Sequence, residues 1–444
     1  MPQADVVILG GGPSGAVLAL LLARAGFNPL LADPGIAPTG RIETLPPAGR
    51  MLARDLGLGA ALAAAGLGRV GEIALDWRAT PETRRPEPDE APDLLDRAVL
   101  HGALRALAAQ AGARFVRERG RILPPLAEGG CPVILGRHRL LARIVVDARG
   151  RSALPRARVA DPLFALPFHG VTDSPPDVPR THLARRAEGW SWSATLPDGR
   201  IDGALFLTPE RLAGLDAAAR RALLRRLVPD CGSRVALSRP CAAALHSAPA
   251  VTARGPVLRI GDAALARNPL GAHGLTHAFR SAAHAAAAVA TLLDPEGEHE
   301  AAYDFLARRH AAAKQSAEAA TAQALLQRGT DGAASPRAER VSVPPPGVAL
   351  RLSRSATRAP VLGDGRICWT TAVHLPRSGE DATRLGPADA ATILRLLDPP
   401  APLAVLAARL DRNLPRGLGH AILTRLIDEG ALVADQPAEM PRMD

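Results

Sequence analysis

The chain has 444 residues, with 54 lysines and arginines against 44 aspartates and glutamates for a net charge of +10, and 3% aromatic residues. That length is too great for one hydrophobic core, so two or three domains are expected, while the lack of any uncharged apolar run of about 18 residues argues against a membrane span. Lys314 is the single lysine; the positive charge is therefore arginine, scattered without the runs that mark nucleic-acid binding. Cys131, Cys231, Cys241 and Cys368 lie far apart without metal-ligand spacing, as do the twelve histidines, which fits reduced thiols, no metal and a cytoplasmic setting. No basic segment precedes the first apolar run, so no signal peptide is expected.

The chain begins with an apolar run, Val6-Val7-Ile8-Leu9, which meets Gly10-Gly11-Gly12-Pro13-Ser14-Gly15 and an Ala/Leu-rich segment ending at Gly26. This reads as strand, glycine turn and helix. Gly10, Gly12 and Gly15 occupy the three small positions of a dinucleotide fingerprint: a tight turn, close approach to a pyrophosphate, and close helix-to-strand packing. The helix N-terminus then faces the phosphates. A second apolar strand, Pro29-Leu30-Leu31-Ala32, ends in Asp33, placed to hydrogen-bond an adenosine ribose. An ordinary glycine-rich turn and an NAD-binding dehydrogenase are the competing readings.

Further segments follow in order. Gly40-Arg41-Ile42-Glu43-Thr44-Leu45-Pro46-Pro47 leads into a helical pattern over 49–58, and Leu94-Leu95-Asp96-Arg97 into one over 98–112. Ile144-Val145-Val146-Asp147-Ala148-Arg149-Gly150-Arg151 reads as a strand and turn. Leu258-Arg259-Ile260-Gly261-Asp262-Ala263-Ala264 precedes Pro269-Leu270-Gly271-Ala272-His273-Gly274-Leu275. Together these resemble the successive motifs of flavoproteins in the tryptophan-halogenase-like branch of the aromatic hydroxylase superfamily. Arg149 departs from the family pattern, which has a small hydroxyl residue there. The resemblance implies an α/β fold: a Rossmann-like FAD-binding domain of the glutathione-reductase and p-hydroxybenzoate-hydroxylase type, a β-sheet substrate domain, and a small C-terminal winged-helix-like domain. It also implies that Gly10, Gly12, Pro13, Ser14, Gly15, Asp33, Arg41, Arg97, Ala148, Asp262, Pro269, Gly271 and Gly274 hold FAD. The turn at 269–274 would open a helix whose positive end faces the flavin pyrimidine ring.

Between these motifs, Gly189-Trp190-Ser191-Trp192-Ser193-Ala194-Thr195-Leu196-Pro197 is similar to a strand of flavin monooxygenases related to the halogenases. Alternation puts Trp190 and Trp192 on one strand face. Either both pack an interdomain core, or they border flavin and substrate. The family's halogenases rely on an early lysine to hold hypohalous acid, and no lysine precedes Lys314. Near Asp76-Trp77-Arg78 an arginine stands instead, and arginine stays protonated. Halogenation is thereby disfavoured and oxygen chemistry through a flavin hydroperoxide remains. His273 and His277 are candidate proton donors near the flavin, or else helix-packing residues; His273 and Trp190 are the catalytic candidates.

Alanine-rich helices are expected over 276–293 and 298–327. The domain organisation is then 1–155 with 256–328 for FAD, 156–255 with parts of 70–95 for the substrate sheet, 329–349 as a Pro-rich linker and 350–444 as the tail. In the tail, a short strand over 366–370 precedes helical patterns at 387–397, 402–410 and 416–429, closed by Gly430-Ala431-Leu432-Val433. This outline resembles both winged helices and the small domains that grip leaders of precursor peptides. Its third helix carries few basic residues for a DNA groove, which favours a protein partner over nucleic acid. A lysine-free, halogenase-like flavoprotein with such a tail is similar to the flavin monooxygenases that mature tryptophylquinone cofactors, such as that of quinohemoprotein amine dehydrogenase. The resemblance implies hydroxylation of a tryptophan in a peptide or protein substrate with O2. No second dinucleotide fingerprint appears, so NAD(P)H binds transiently or a separate flavin reductase supplies electrons. Other readings are a small-molecule aromatic hydroxylase, a flavin reductase of the geranylgeranyl-reductase-like type, and a flavoprotein sensor binding DNA.

Overall fold

The computed structural model describes residues 3–35, 41–77, 80–127, 129–153, 163–228, 231–232, 234–242, 246–247, 255–269, 273–326, 347–353, 357–378, 380–415 and 417–435. Gly271 and most of the expected linker lie outside the described residues. The chain divides into two compact units, Met1–Leu293 with Leu306–Asp331, and Asp294–Phe305 with Gly332–Asp444. Among the described residues, no helix is long and apolar enough to cross a membrane.

The first unit is built on a mixed sheet. Its central strand, β1 (Gln3–Leu9), carries Val6, Val7, Ile8 and Leu9, each fully buried, as expected of a parallel strand covered on both faces. Helix α1 (Pro13–Arg24) starts with Gly12 at its N-cap and Pro13 at its first position, where a missing N–H costs nothing. The chain returns through β2 (Pro29–Ala32), parallel to β1. Across the sheet the order is Arg114–Val116, β2, β1, His138–Asp147, Cys131–Leu135 and Gly120–Ile122, with Val257–Arg259 added in parallel beside the end of His138–Asp147. Register sets Leu9 beside both Ala32 and Asp147. The carboxyl ends of neighbouring parallel strands, where α/β proteins bind ligands, therefore come together at Gly10, Asp33, Ala148 and Ile260.

A second sheet in the same unit runs Ala236–Leu237, Phe164–Val171, Arg200–Leu207, Gly189–Thr195, Arg180–Arg186, Glu72–Asp76 and Glu82–Arg84, and is antiparallel except where Glu72–Asp76 meets Arg180–Arg186. Period-two alternation divides its residues between two faces. One face, with Leu166, Phe168, Leu205 and Leu207, packs on Leu223, Leu224 and Leu227 of the helix Ala217–Leu227. The other carries Trp190, Trp192, Ala204 and Phe206. Over this second face lies β3 (Ile42–Leu45), paired with Asp93–Asp96; Ile42 packs beside Ala194 and Trp192. The helix Arg97–Gln110 follows, its start fixed by the Asp96 carboxylate accepting from the Ala98 and Val99 N–H groups. The helix Gly274–Leu293 packs against α1 and buries Ala278, Ala282 and Ala285.

In the second unit, the strand Arg366–Leu375 is ten residues long, twice the expected length. Its pairing with Thr357–Gly363 and Glu380–Ala382 extends it, and this pairing leaves no mark on local composition. Helices Ala390–Leu397, Leu403–Asn413 and Leu418–Asp428 bury Ile393, Leu406, Leu410, Ile422 and Leu426 together. The first starts three residues later than its apolar pattern suggests, because Asp389 caps the Thr392 N–H and Ala388–Asp389 is held in a short strand. A three-stranded sheet of Ala401–Pro402, Ala349–Leu352 and Leu432–Ala434 completes the unit.

Candidate cofactor and substrate site

A cavity of about 1140 Å³ opens in the first unit, walled by the carboxyl ends of the mixed sheet and by the tryptophan-bearing face of the second sheet. That exceeds the usual volume of a drug-sized ligand pocket, leaving room for a dinucleotide and a second molecule. Eight arginines line it (Arg41, Arg84, Arg97, Arg105, Arg119, Arg149, Arg151 and Arg267) against the five acids Asp33, Glu43, Glu118, Asp202 and Asp262. This balance suits an anionic ligand.

The glycine turn is shaped by contact on one side and space on the other. Gly10 has φ +105°, and a Cβ there would overlap the Ala148 carbonyl; a Cβ on Gly15 would overlap the Gly10 carbonyl oxygen. At Gly12 a Cβ would meet nothing nearer than His101 Cε1 at 3.9 Å, so this position fronts open cavity. Pro13 and Ser14 line the cavity at the start of α1, whose cap has no side-chain hydrogen bond. The exposed helix start is a ready anion site. Asp33 accepts from Gly11 N (2.6 Å) and Gly35 N (2.7 Å), which fixes its carboxylate at the cavity edge.

Beside this turn, the helix Arg97–Gln110 presents Arg97, His101 and Arg105 to the cavity at successive four-residue steps, one face of a helix. Arg97 Nη1 lies 3.0 Å from Glu43 Oε1, while its buried Nε has no partner. Arg105 pairs with Asp33 at 3.6 Å. His101 is buried, its Nε2 without a partner, and burial together with Arg97 and Arg105 pushes its pKa down to about 4. Sequence reasoning found Arg97 and missed the other two; the four-residue spacing on a helix was the available signal. Orphaned donors at Arg97 and His101, an open Gly12 and a cationic wall fit a pyrophosphate-bearing cofactor.

The unexplained Arg149 has a structural reason. Its Nε and Nη2 grip the two oxygens of Asp147, both at 2.8 Å, and Nη1 donates to the Gly120 carbonyl at 3.3 Å. Asp147 thus acquires a bound cation in place of a hydroxyl neighbour. Gly261 packs so closely on Ser14 that a Cβ would collide with its hydroxyl, and the Gly261 N–H donates to Ser281 Oγ. The following Asp262 faces the cavity with 42% of its side chain, 3.9 Å from Arg151. Surrounding protein raises its pKa, opposed by Arg151 and Arg97.

Gly10, Gly12, Pro13, Ser14, Asp33, Arg41, Arg97, Ala148, Asp262, Pro269 and Gly274 all line this one cavity; Gly15 shapes it from behind. His273 does not line it. It is exposed just ahead of the helix Gly274–Leu293, because the helix begins at Gly274 and that glycine, with Leu275 and Ala278, supplies the wall. His277 stands behind the wall, where burial pushes its pKa down to about 4.

The opposite wall is aromatic. Trp190 stacks on Phe206 with ring centroids 3.8 Å apart, and meets Trp77 edge-on at 6.2 Å. Trp190 is buried yet still reaches the cavity, and Trp192 is half-buried beside it; both tryptophans are packing and lining at once. Asp202, two residues before Ala204, was not singled out in the sequence. Among the described residues, no cluster of three or more His, Cys, Asp or Glu side chains is arranged to hold a metal ion.

No protein-family model matches the sequence, and no curated protein matches it. Solved structures do. QhpG, a peptidyl tryptophan dihydroxylase essential for tryptophylquinone cofactor biogenesis, superposes with a TM-score of 0.68 at 23% identity, over 96% of this chain and 99% of its own. The flavin-dependent halogenase CmlS gives 0.65 at 16% identity, over 98% and 96%. PqsL, a probable FAD-dependent monooxygenase from Pseudomonas aeruginosa, gives 0.59 at 20% identity, over 74% of this chain and 97% of its own. The chain has the α/β fold of flavin-dependent monooxygenases and halogenases.

Proposed function

We propose that the chain is an FAD-dependent monooxygenase that hydroxylates an aromatic substrate, namely a tryptophan side chain in a peptide or protein precursor of a tryptophylquinone cofactor. One observation carries this reading: a dinucleotide turn flanked by the unpartnered Arg97 Nε and His101 Nε2 and a wall of stacked aromatic rings share a single cavity. The likeness to QhpG over nearly the whole of both chains supports the choice of substrate.

Bound and reduced, FAD supplies the two electrons with which O2 is activated for insertion of one oxygen atom into an aromatic ring. The residues of the chain do the rest. Gly10 to Gly15 and the start of α1 hold the pyrophosphate, helped by Arg97 and His101. Asp33 takes the adenosine ribose, and Arg41, Ala148, Asp262, Pro269 and Gly274 surround the remainder. Trp190, Trp192 and Phe206 offer ring faces that orient an indole by stacking, and the apolar sheet face around them excludes water, which protects a reactive oxygen species from wasteful breakdown. His273, exposed and off the wall, has no part in this reading. With no lysine before Lys314, halogenation lacks its amine.

The second unit, winged-helix-like in its three helices and small sheet, recruits the polypeptide substrate, and the enzyme works in the cytoplasm with NAD(P)H or a separate flavin reductase as electron source. The test is mass spectrometry after photoreduction and admission of O2, with tryptophan-containing polypeptides from the same cells, free tryptophan and bromide present together, for the full chain and for one lacking residues 350–444. The full chain should add one or two oxygen atoms to a polypeptide, and the shortened chain should not. Oxygen or bromine on free tryptophan alone would overturn the reading.

A further inference from the structure

The sheet face that closes the cavity is mostly apolar along its strands, with Ile73, Leu75, Leu183, Trp190, Trp192 and Phe206; Thr181 and, on the outer strand, Arg84 are polar members of it. Asp202 interrupts it. Strand alternation sends Asp202 to the same side as Ala204 and Phe206, with Ala194 opposite it in register. It is the one carboxyl that this face turns toward the cavity among the described residues, and it is 6% exposed. Burying a carboxyl in an apolar wall is unfavourable, so its presence at the edge of the aromatic cluster calls for a chemical reason.

Its surroundings keep it near neutrality. Burial raises the pKa to about 7; Arg41 opposes the rise, Glu43 and Asp96 add to it, and the Ile42 N–H donates a hydrogen bond to the carboxyl. A group that gains and loses a proton near pH 7 is suited to proton transfer.

We propose that Asp202 is the catalytic base that takes the ring proton from the aromatic substrate after oxygen insertion. Once one oxygen atom has bonded to a ring carbon, the C–H bond of that carbon breaks and its electron pair returns to the ring, restoring aromaticity. The proton passes to a carboxylate oxygen of Asp202 and then to water at the cavity mouth. No oxidant is required beyond the O2 and two electrons of the overall reaction. The inference rests on the proposed function only in that an aromatic carbon is oxygenated; it does not depend on the substrate being a polypeptide.

The experiment compares the wild type with Asp202→Asn and Asp202→Glu, each loaded with FAD, reduced, and mixed with O2 and a tryptophan-containing peptide from about pH 5.5 to about pH 8.5. Oxygenated peptide per flavin and flavin reoxidation are followed separately. Wild-type product formation should rise with pH through about 7 as the carboxyl ionises. Asp202→Asn, which keeps an oxygen for the Ile42 N–H, should lose about 100-fold in product formation and its pH dependence, while FAD affinity and flavin reoxidation stay within about twofold and peroxide accumulates. Asp202→Glu should recover part of the yield. Wild-type yield and pH profile in Asp202→Asn would overturn the assignment.

A second measurement needs no turnover. The folded carboxyl titrates near 7 against an ordinary value of 3.8, so its contribution to stability is full below the lower value and is lost as pH rises through the higher one. Asp202→Asn should therefore gain in melting temperature over the wild type as pH rises to about 8; a constant difference would also overturn the proposal. Failure of the functional reading looks different: the wild type itself then modifies no polypeptide. If the wild type instead oxygenates a free indole, the same comparison of variants is read on that product, and if it oxygenates nothing, both proposals fall.

Discussion

Arg149 and Asp147 are joined at two points, Nε to Oδ1 and Nη2 to Oδ2, each 2.8 Å, with the Asp147 side chain 3% exposed. The pair closes the end of the strand beside Gly10, where the sheet meets the cavity. Removing the cation leaves a buried carboxylate with the Arg149 backbone N–H as its remaining donor on this side. Arg149→Ser should lower stability by about 1–3 kcal/mol, a figure reduced from that of a fully buried pair because Arg149 is partly solvated. Adding Asp147→Asn should recover much of the loss. Denaturant midpoints of the two variants decide it.

The glycines of the turn separate folding from binding. Gly15→Ala forces a methyl into the Gly10 carbonyl and should reduce the yield of folded protein. Gly12 has an ordinary φ of −71° and faces open space. Gly12→Val should therefore melt within about 0.5 kcal/mol of the wild type while FAD affinity, read by quenching of flavin fluorescence, falls by at least about tenfold.

The two tryptophans should respond differently. Trp190 is buried in its stack with Phe206, and Trp190→Ala should cost about 3 kcal/mol. Trp192→Ala, at a half-buried position on the same face, should cost less while still reducing the affinity for tryptophan-containing peptide. Thermal melts paired with a peptide-binding titration separate packing from recognition.

Acid should weaken the protein through three histidines. Burial, first among the causes for each, pushes His101, His277 and His284 down to about 4. A folded value below the unfolded one gives stability that is present above about pH 6.5 and is lost as pH falls toward 4. In the Asp202→Asn background, which removes the carboxyl that titrates near 7, the melting temperature should be flat above about pH 7 and decline below it. His277→Gln should make that decline shallower, and a decline of unchanged slope would show that His277 is not buried in its neutral form.

The dinucleotide unit was legible because its signals are local: a buried parallel strand reads as an unbroken apolar run, and the glycine positions follow from contacts within one turn. The arrangement of Trp190 and Trp192 on one face was legible for the same reason, since alternation is a property of a single strand. Asp202 was not, because its meaning depends on which face of Arg200–Leu207 it takes, on its register with Ala194, and on β3, 160 residues earlier in the chain, crossing above it. His273 lies one residue ahead of the helix start, and it is Gly274 that lines the cavity, a distinction of one residue that sequence spacing does not carry.

The pairing of Val145 with Val257 joins neighbours in the mixed sheet that are more than a hundred residues apart, with six strands of the other sheet emerging between them. Contacts of such sequence separation are the non-local kind that slow folding. A growing chain that has already made its glycine turn still lacks its seventh strand and Asp262 until synthesis passes residue 262. A chain that stops before this point therefore has the fingerprint but not the closed site, and the end of His138–Asp147 is left as an open strand edge without its parallel partner.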